Sequence, residues 1–318
     1  TLRGRRLRAR PELQRRPAMR ITEGHLARHY QGRRGGRGPA LLDIAQDHAI
    51  AHLHAVGVFE AGLVFKGGTS LRKFRAGSAG RFSTDLDFYA PDDDVTLATM
   101  EALAAADIDG FVFRIPELGG DGRRALLEVD TPFGRPDIGA RIEVSQRPLS
   151  LPPDLLPMVP LPIHARYDVS VPDTPVIAIE EAIAEKLARF RRVSLARDLY
   201  DLAWFADRQL DHALVRRLWV MKVYFDVVDD GRGTRPLSPD ELLRDRDPNE
   251  FVPEDIGYLT QPVDIAAWLA TVHDRYAFLR DLDGDEQRWS ACNPGHRHAA
   301  RDPTDQPTRL CVALGRCG

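Results

Sequence analysis

Two short blocks of this 318-residue chain carry side chains suited to phosphate chemistry: Phe65-Lys66-Gly67-Gly68-Thr69-Ser70-Leu71-Arg72-Lys73 and Arg81-Phe82-Ser83-Thr84-Asp85-Leu86-Asp87-Phe88. In the first, the apolar run Leu63-Val64-Phe65 ends in two glycines, which let a backbone approach a ligand closely. Thr69 or Ser70 then caps a helix expected from about Thr69 to Phe74. A helix N-terminus offers free amides to phosphate, so Gly67, Gly68, Thr69 and Ser70 form a candidate cradle, flanked by Arg72. In the second block, strand alternation puts Ser83, Asp85 and Asp87 on one face and sends Leu86 and Phe88 into the core. Two adjacent carboxylates repel each other, and Mg²⁺ relieves that repulsion when it is shared with substrate phosphates. A phosphate cradle beside a carboxylate pair equips a protein for phosphoryl or nucleotidyl transfer. A P-loop is the competing motif. Gly62 and Gly67 have its spacing, but Gly68 stands where that motif needs lysine.

Further candidates lie downstream. In Arg141-Ile142-Glu143-Val144-Ser145 the alternation puts Glu143 on the face opposite Ile142 and Val144, and Glu128 and Asp130 alternate in the same way in the preceding strand. Lys186 lies one turn beyond Ile183 on an expected helix, and its helical neighbours Ala182, Ile183, Arg189 and Phe190 include no acidic partner. Asp198 and Asp201 are spaced i, i+3 and share a face of the next helix, which Ser194 is placed to cap. Ser83 is either a strand-edge serine bonded to backbone or a hydroxyl that meets phosphate beside the metal. His48 and His52 have the spacing of a zinc pair. They lack a glutamate base and a third ligand, so they read as structural histidines. Cys292, His296, His298, Cys311 and Cys317 show no C-x-x-C spacing.

The elements that must position these groups read as α+β first and helical second. A long helix is expected over about 40–57, then strands at 63–65, 86–88, 111–115, 125–129 and 140–145, with a helix over Val95–Ala106. A proline-rich crossing from Pro148 to Pro162 follows. Beyond Pro175 the spacing of Ile183, Leu187, Phe190, Leu199, Leu202, Phe205, Ile265, Leu269 and Val272 is helical. After about Asp283 the text is rich in Gly, Pro, Asp and Arg without period, and a disordered tail is expected over 284–318.

Composition sets outer limits. Hydrophobic residues make up 43% and charged residues 29%, enough to bury a real core. The longest apolar run, Leu218 to Val228, carries Lys222 and Asp226, so no membrane helix is expected. An odd set of three cysteines near the end is no disulfide framework, which suggests the cytoplasm. The formal net charge is −3, yet the first residues hold Arg3, Arg5, Arg6, Arg8, Arg10, Arg15 and Arg16 against Glu12. That basic run reads as an upstream extension before a natural-looking start at Met19, or else as a nucleic-acid arm, and a disordered leader is expected over 1–20. The acidic remainder must therefore meet any polyanion through local basic clusters, one around Arg72, Lys73, Arg75 and Arg81 and another around Arg189, Arg191, Arg192 and Arg197.

Lys66-Gly67-Gly68-Thr69-Ser70-Leu71 with Arg81 to Phe88, then Glu181 to Leu187 and Arg197-Asp198-Leu199-Tyr200-Asp201-Leu202, resembles the AbiEii-type nucleotidyltransferase toxins. These belong to the DNA polymerase β-like nucleotidyltransferase superfamily and include the mycobacterial MenT toxins. The resemblance covers roughly residues 40–282. It implies a nucleotidyltransferase-like mixed sheet with flanking helices over 21–175 and a helical domain over 176–283. It further implies transfer of a nucleoside monophosphate from an NTP, with the tRNA 3′ end as acceptor, a block of translation, and a cognate antitoxin. On that reading Asp85, Asp87 and Glu143 serve Mg²⁺, and Gly67 to Ser70 with Arg72 serve the nucleotide. Lys186 grips the triphosphate and Asp198 orients the acceptor or acts as base.

Overall fold

The computed structural model describes residues 21–296, apart from 31–35, 135–137, 168, 233–236, 258 and 260. The leader over 1–20 and the tail beyond 296 therefore lie outside the described residues.

The chain enters through α1 (Glu23–His29), whose N-terminus Thr22 caps, and α2 (Arg37–Ala55). α2 is buried on nearly every side, and its apolar residues are joined in the interior by Asp43, Gln46, Asp47 and His48. Buried carboxylates are costly unless paired. Here Asp43 meets Arg72 at 2.9 Å and Lys73 at 2.8 Å, and Asp47 meets Lys73 at 2.7 Å.

Next come β1 (Val64–Lys66) and α3 (Gly67–Leu71), which runs on into a π-helical turn over Arg72–Ala76. β2 (Leu86–Tyr89) returns antiparallel to β1, and α4 (Asp93–Ala104) starts on an Asp92 cap. β3 (Asp107–Ile108), β4 (Phe111–Arg114), β5 (Arg124–Asp130) and β6 (Ile138–Ser145) follow. Two more strands that the sequence pattern did not indicate follow, β7 (Asp154–Leu156) within the proline-rich crossing and β8 (Thr174–Val176) after it. The eight strands form one mixed sheet in the order β3-β4-β5-β6-β2-β1-β8-β7, with β2/β6 and β1/β8 parallel. The architecture is thus the α+β class that the sequence pattern indicated, with the mixed sheet and flanking helices that the resemblance implied. Alternation in β5 and β6 buries Leu127, Val129, Ala140, Ile142 and Val144 in the same core as Leu41, Ile44 and Leu53 of α2. The opposite face carries Arg124, Glu128, Arg141 and Glu143 outward.

A second core gathers α5 (Ile179–Arg192), α6 (Ala196–Ala206), α7 (His212–Val228), α8 (Pro239–Leu242) and α9 (Ile265–Arg275) around Ile183, Leu187, Phe190, Leu199, Leu218 and Trp219. Glu181 of α5 ties this part to the sheet. Fully buried, it accepts the backbone N–H groups of Ser150 and Leu151 at 2.9–3.0 Å and the Lys222 ammonium at 2.5 Å. The stretch just after Asp283, expected to lack structure, instead forms α10 (Gly284–Ser290). Asp283 and Glu286 make a capping box there, and Glu286, 1% exposed, receives Arg216 of α7 at 2.7 Å. No helix among the described residues is long and apolar enough to cross a membrane.

Candidate active site

The two glycines after β1 are fixed by their surroundings. Gly67 has φ +79°, and a Cβ there would stand 2.0 Å from Oδ2 of Asp87. A Cβ on Gly68 would stand 2.4 Å from the Arg81 guanidinium and 2.9 Å from Oγ of Ser83. The turn therefore runs directly against the carboxylate block, as only glycine permits. It is anchored from beneath. Arg72 donates to Asp43 and to the carbonyls of Gly77 and Gly80, so the structure places it under the turn rather than in the cleft, together with Lys73. Thr69, fully buried, donates its hydroxyl to the carbonyl of Asp85, and Ser70 donates to the carbonyl of Gly67 at 3.0 Å.

The carboxylates come from two neighbouring strands. Asp87 in β2 lies in register with Glu143 in β6 and with Lys66 in β1. Asp85 precedes the strand and is held by Arg141 through two contacts of 3.2 and 3.3 Å, while Glu143 meets Arg124 at 3.3 Å. Ser83 also precedes β2, so it is no strand-edge serine. It borders the cleft, and its carbonyl accepts from Gln46 at 2.9 Å. Glu128 and Asp130 lie on β5 outside the cleft, and Asp130 pairs with Arg114. Burial pushes the Asp87 carboxyl up to about 6. Lys66 opposes this, Asp85 and Glu143 add to it, and Lys186 again opposes.

Across the cleft stand α5 and α6. Lys186 is not free, as its own helix had suggested. It donates to Asp201 at 2.6 Å and lies 3.7 Å from Asp198. Arg81 makes two contacts of 3.1 Å to the same Asp201. Burial would raise the Asp201 carboxyl, but Arg81 and Lys186 outweigh it and hold it below its ordinary value. Asp198, 1% exposed, faces Arg189 at 3.2 Å. Ser194 does not cap α6; its hydroxyl donates to the carbonyl of Phe190, and Leu195 occupies the cap. Lys66 is held by Glu185 at 2.8 Å. Burial would raise the Glu185 carboxyl too, but Lys66 and Lys222 bring it down to about 2.

These groups line one cleft of about 720 Å³ between the outward sheet face and α5–α7. Among the candidates, Gly67, Gly68, Ser70, Ser83, Asp85, Asp87, Glu143 and Lys186 border it; Thr69, Arg72 and Asp198 stand behind its walls. The reading of the sequence missed the partners: Arg141 on Asp85, Glu185 on Lys66, and Asp201 as the shared anchor of Arg81 and Lys186. For Arg141 the signal was present, since the alternation that turns Glu143 outward turns Arg141 outward too.

Among the described residues no group of three or more His, Cys, Asp or Glu side chains is drawn up as a finished metal centre. The donor chemistry nonetheless fits a hard cation completed by substrate. Asp85 and Asp87 adjoin, Asp87 holds its proton unusually tightly next to other carboxylates, and an arginine already supplies Asp85 with positive charge.

Comparison with known proteins agrees with this geometry. Residues 52–294 match the family model described as nucleotidyl transferase AbiEii toxin, type IV TA system. The fold is similar to that of MenT4, a nucleotidyltransferase toxin from Mycobacterium tuberculosis H37Rv, with TM-score 0.85 and 52% identity over 91% of this chain and 99% of that one. A proposed nucleotidyltransferase of Helicobacter pylori reaches TM-score 0.42 at 18% identity, over 73% and 93% of the two chains. JHP933 of the same organism reaches 0.41 at 16%, over 81% and 98%. Neither of these two bears on the argument. A search of curated proteins found no match.

Proposed function

This chain belongs to the AbiEii family of nucleotidyl transferase toxins, and from that premise we propose that it moves a nucleoside monophosphate from an NTP to the 3′ end of a tRNA. NTP-dependent nucleotidyl transfer and a toxin's role come with the family; the tRNA acceptor, the use of Mg²⁺, the block of translation and a cytoplasmic setting are the proposal. An antitoxin partner follows from the family as well.

The observation that supports the reading is the contact between the glycine turn and the carboxylates. Gly67 lies so close to Asp87 that a phosphate resting on the turn is within reach of any cation that Asp85 and Asp87 hold. Mg²⁺, when bound there, would neutralise triphosphate charge and make the acceptor hydroxyl a better nucleophile. The chain's own groups do the rest. The amides after Gly67 donate to phosphate oxygens, Ser70 does so once its hydroxyl exchanges the Gly67 carbonyl for phosphate, and Ser83 borders the same space. Lys186 donates to the triphosphate while Asp201 keeps its ammonium in place. Asp198 and Asp201, both 1% exposed, act through the cations that they hold and orient Lys186, Arg189 and Arg81 toward the substrate. Glu143 is the third carboxylate, and Arg124 keeps it at the rim.

Incubation with each α-labelled NTP, total tRNA and Mg²⁺, followed by a denaturing gel, tests this. Label should enter tRNA with wild-type protein and not with Asp85→Ala or Asp87→Ala. Label appearing only on protein or on a small molecule would remove the tRNA acceptor, and a fully active Asp87→Ala would remove the metal role.

A further inference from the structure

The cleft is crowded with arginines and lysines, and nearly all are neutralised in place. The pairs run from Lys66 with Glu185 at 2.8 Å to Arg232 with Asp230 at 3.5 Å, and every other lining cation except one has a carboxylate as well. The exception is Arg197. Among the described residues its guanidinium, half-buried in the cleft wall, makes neither an ion pair nor a hydrogen bond.

Its setting disfavours a bare charge. Burial, and next to it Arg189, hold Arg197 below its ordinary value; Asp198 pulls the other way, Arg81 again lowers it, and Asp85 opposes. A guanidinium carries five donors in a planar fork that matches two oxygens of a phosphate. A solvated surface arginine would turn away from other cations, whereas this one stays in the wall among them. Asp85 and Arg81 both lie near enough to act on it, and all three line the same cleft, so an anion that it binds would rest in the cleft that the metal carboxylates border.

We propose that Arg197 is the residue with which the cleft grips a substrate phosphate, the incoming anion supplying the partner that the fold leaves out. This rests on the nucleotidyl-transfer reading. The phosphate belongs either to the NTP or to the backbone of the acceptor, and the experiment separates the two.

Wild-type full-length chain, Arg197→Ala and Arg197→Lys are titrated with inorganic tripolyphosphate by calorimetry, melted without ligand, and assayed for the KM of NTP and of tRNA. Loss of one charge-assisted, two-pronged contact should weaken phosphate binding by about 10- to 100-fold, with part of it restored by lysine. If the NTP is gripped, tripolyphosphate affinity falls and the KM for NTP rises together. If the acceptor is gripped, tripolyphosphate affinity holds and the KM for tRNA rises. The melting temperature of Arg197→Ala should not fall, because an unpaired cation among cations has been removed. Unchanged tripolyphosphate affinity with both KM values unchanged would overturn the proposal. So would a lowered melting temperature in both Arg197→Ala and Arg197→Gln, which would mark a structural residue. Asp87→Ala keeps the underlying reading separate: if it transfers nucleotide as the wild type does, that reading fails, while the tripolyphosphate titration still reports on Arg197.

Discussion

Replacing Asp87 with asparagine should make the metal-free protein more stable while it ends catalysis. The Asp87 carboxyl is pushed up to about 6 from an ordinary 3.8, by burial first; Lys66 opposes this, Asp85 and Glu143 reinforce it, and Lys186 opposes. Because the folded state holds the proton more tightly than the unfolded chain, the associated stability is complete below about pH 4 and is lost as pH rises through about 6. Raising the carboxyl from 3.8 to about 6 corresponds to about 3 kcal/mol, so at pH 7.5 the ionised carboxylate weakens the metal-free fold by about that much. Asparagine keeps the shape and removes the charge. In EDTA at pH 7.5, Asp87→Asn should gain about 3 kcal/mol in urea denaturation and melt on the order of 5 °C higher. The gap should narrow to about half near pH 5 and close near pH 4. Mg²⁺ with NTP should stabilise the wild type and leave the variant unmoved. An Asp87→Asn protein no more stable than wild type at pH 7.5, or one whose advantage is undiminished at pH 4, would refute this account of the site.

Gly67→Ala should cost at least about 1–3 kcal/mol and abolish transfer, because φ +79° and a 2.0 Å approach to Asp87 leave a methyl nowhere to go; normal stability in denaturant would contradict that. Lys186→Ala should raise the KM for NTP by about 10- to 100-fold and Lys186→Arg by less, since a charge-assisted hydrogen bond contributes roughly 1.5–3 kcal/mol; equal KM values across the three proteins would make Lys186 a purely internal partner of Asp201. Truncation after 283 should melt at a lower temperature than truncation after 296, because it strips Arg216 of Glu286 at 2.7 Å. Equal melting of the two truncations would show that α10 contributes nothing to the fold.

What could be read in the chain was whatever rests on local geometry. Period-two alternation is a property of each strand alone, so Leu86 and Phe88 inside and Glu143 outside followed directly from the text. The glycine pair was legible because few other residues fit a positive φ or a close approach. Pairing between distant elements was not. A scan of helical neighbours could not find Asp201 for Lys186, because the partner sits fifteen residues on, in another helix. Arg72 looked like a phosphate ligand by adjacency, and only the burial of Asp43 in α2 explains why it points the other way. β7 and β8 were hidden because three-residue strands among prolines show no period. The capping box from Asp283 to Glu286 was present in the text, but the composition around it masked the signal.

The pairing of the cleft's cations has a consequence for how it behaves toward salt. A nucleic-acid site built from bare lysines and arginines gathers counterions in the empty state and releases them on binding, so its affinity falls steeply as salt rises. Here the fold supplies the counterions itself, as carboxylates fixed to helices and strands. An incoming polyphosphate must exchange partners with those carboxylates rather than displace mobile ions. The slope of log affinity against log salt should therefore be much shallower than the number of lining arginines and lysines suggests. Discrimination between substrates then depends on which carboxylates are able to let go, a matter of helix geometry rather than of total charge.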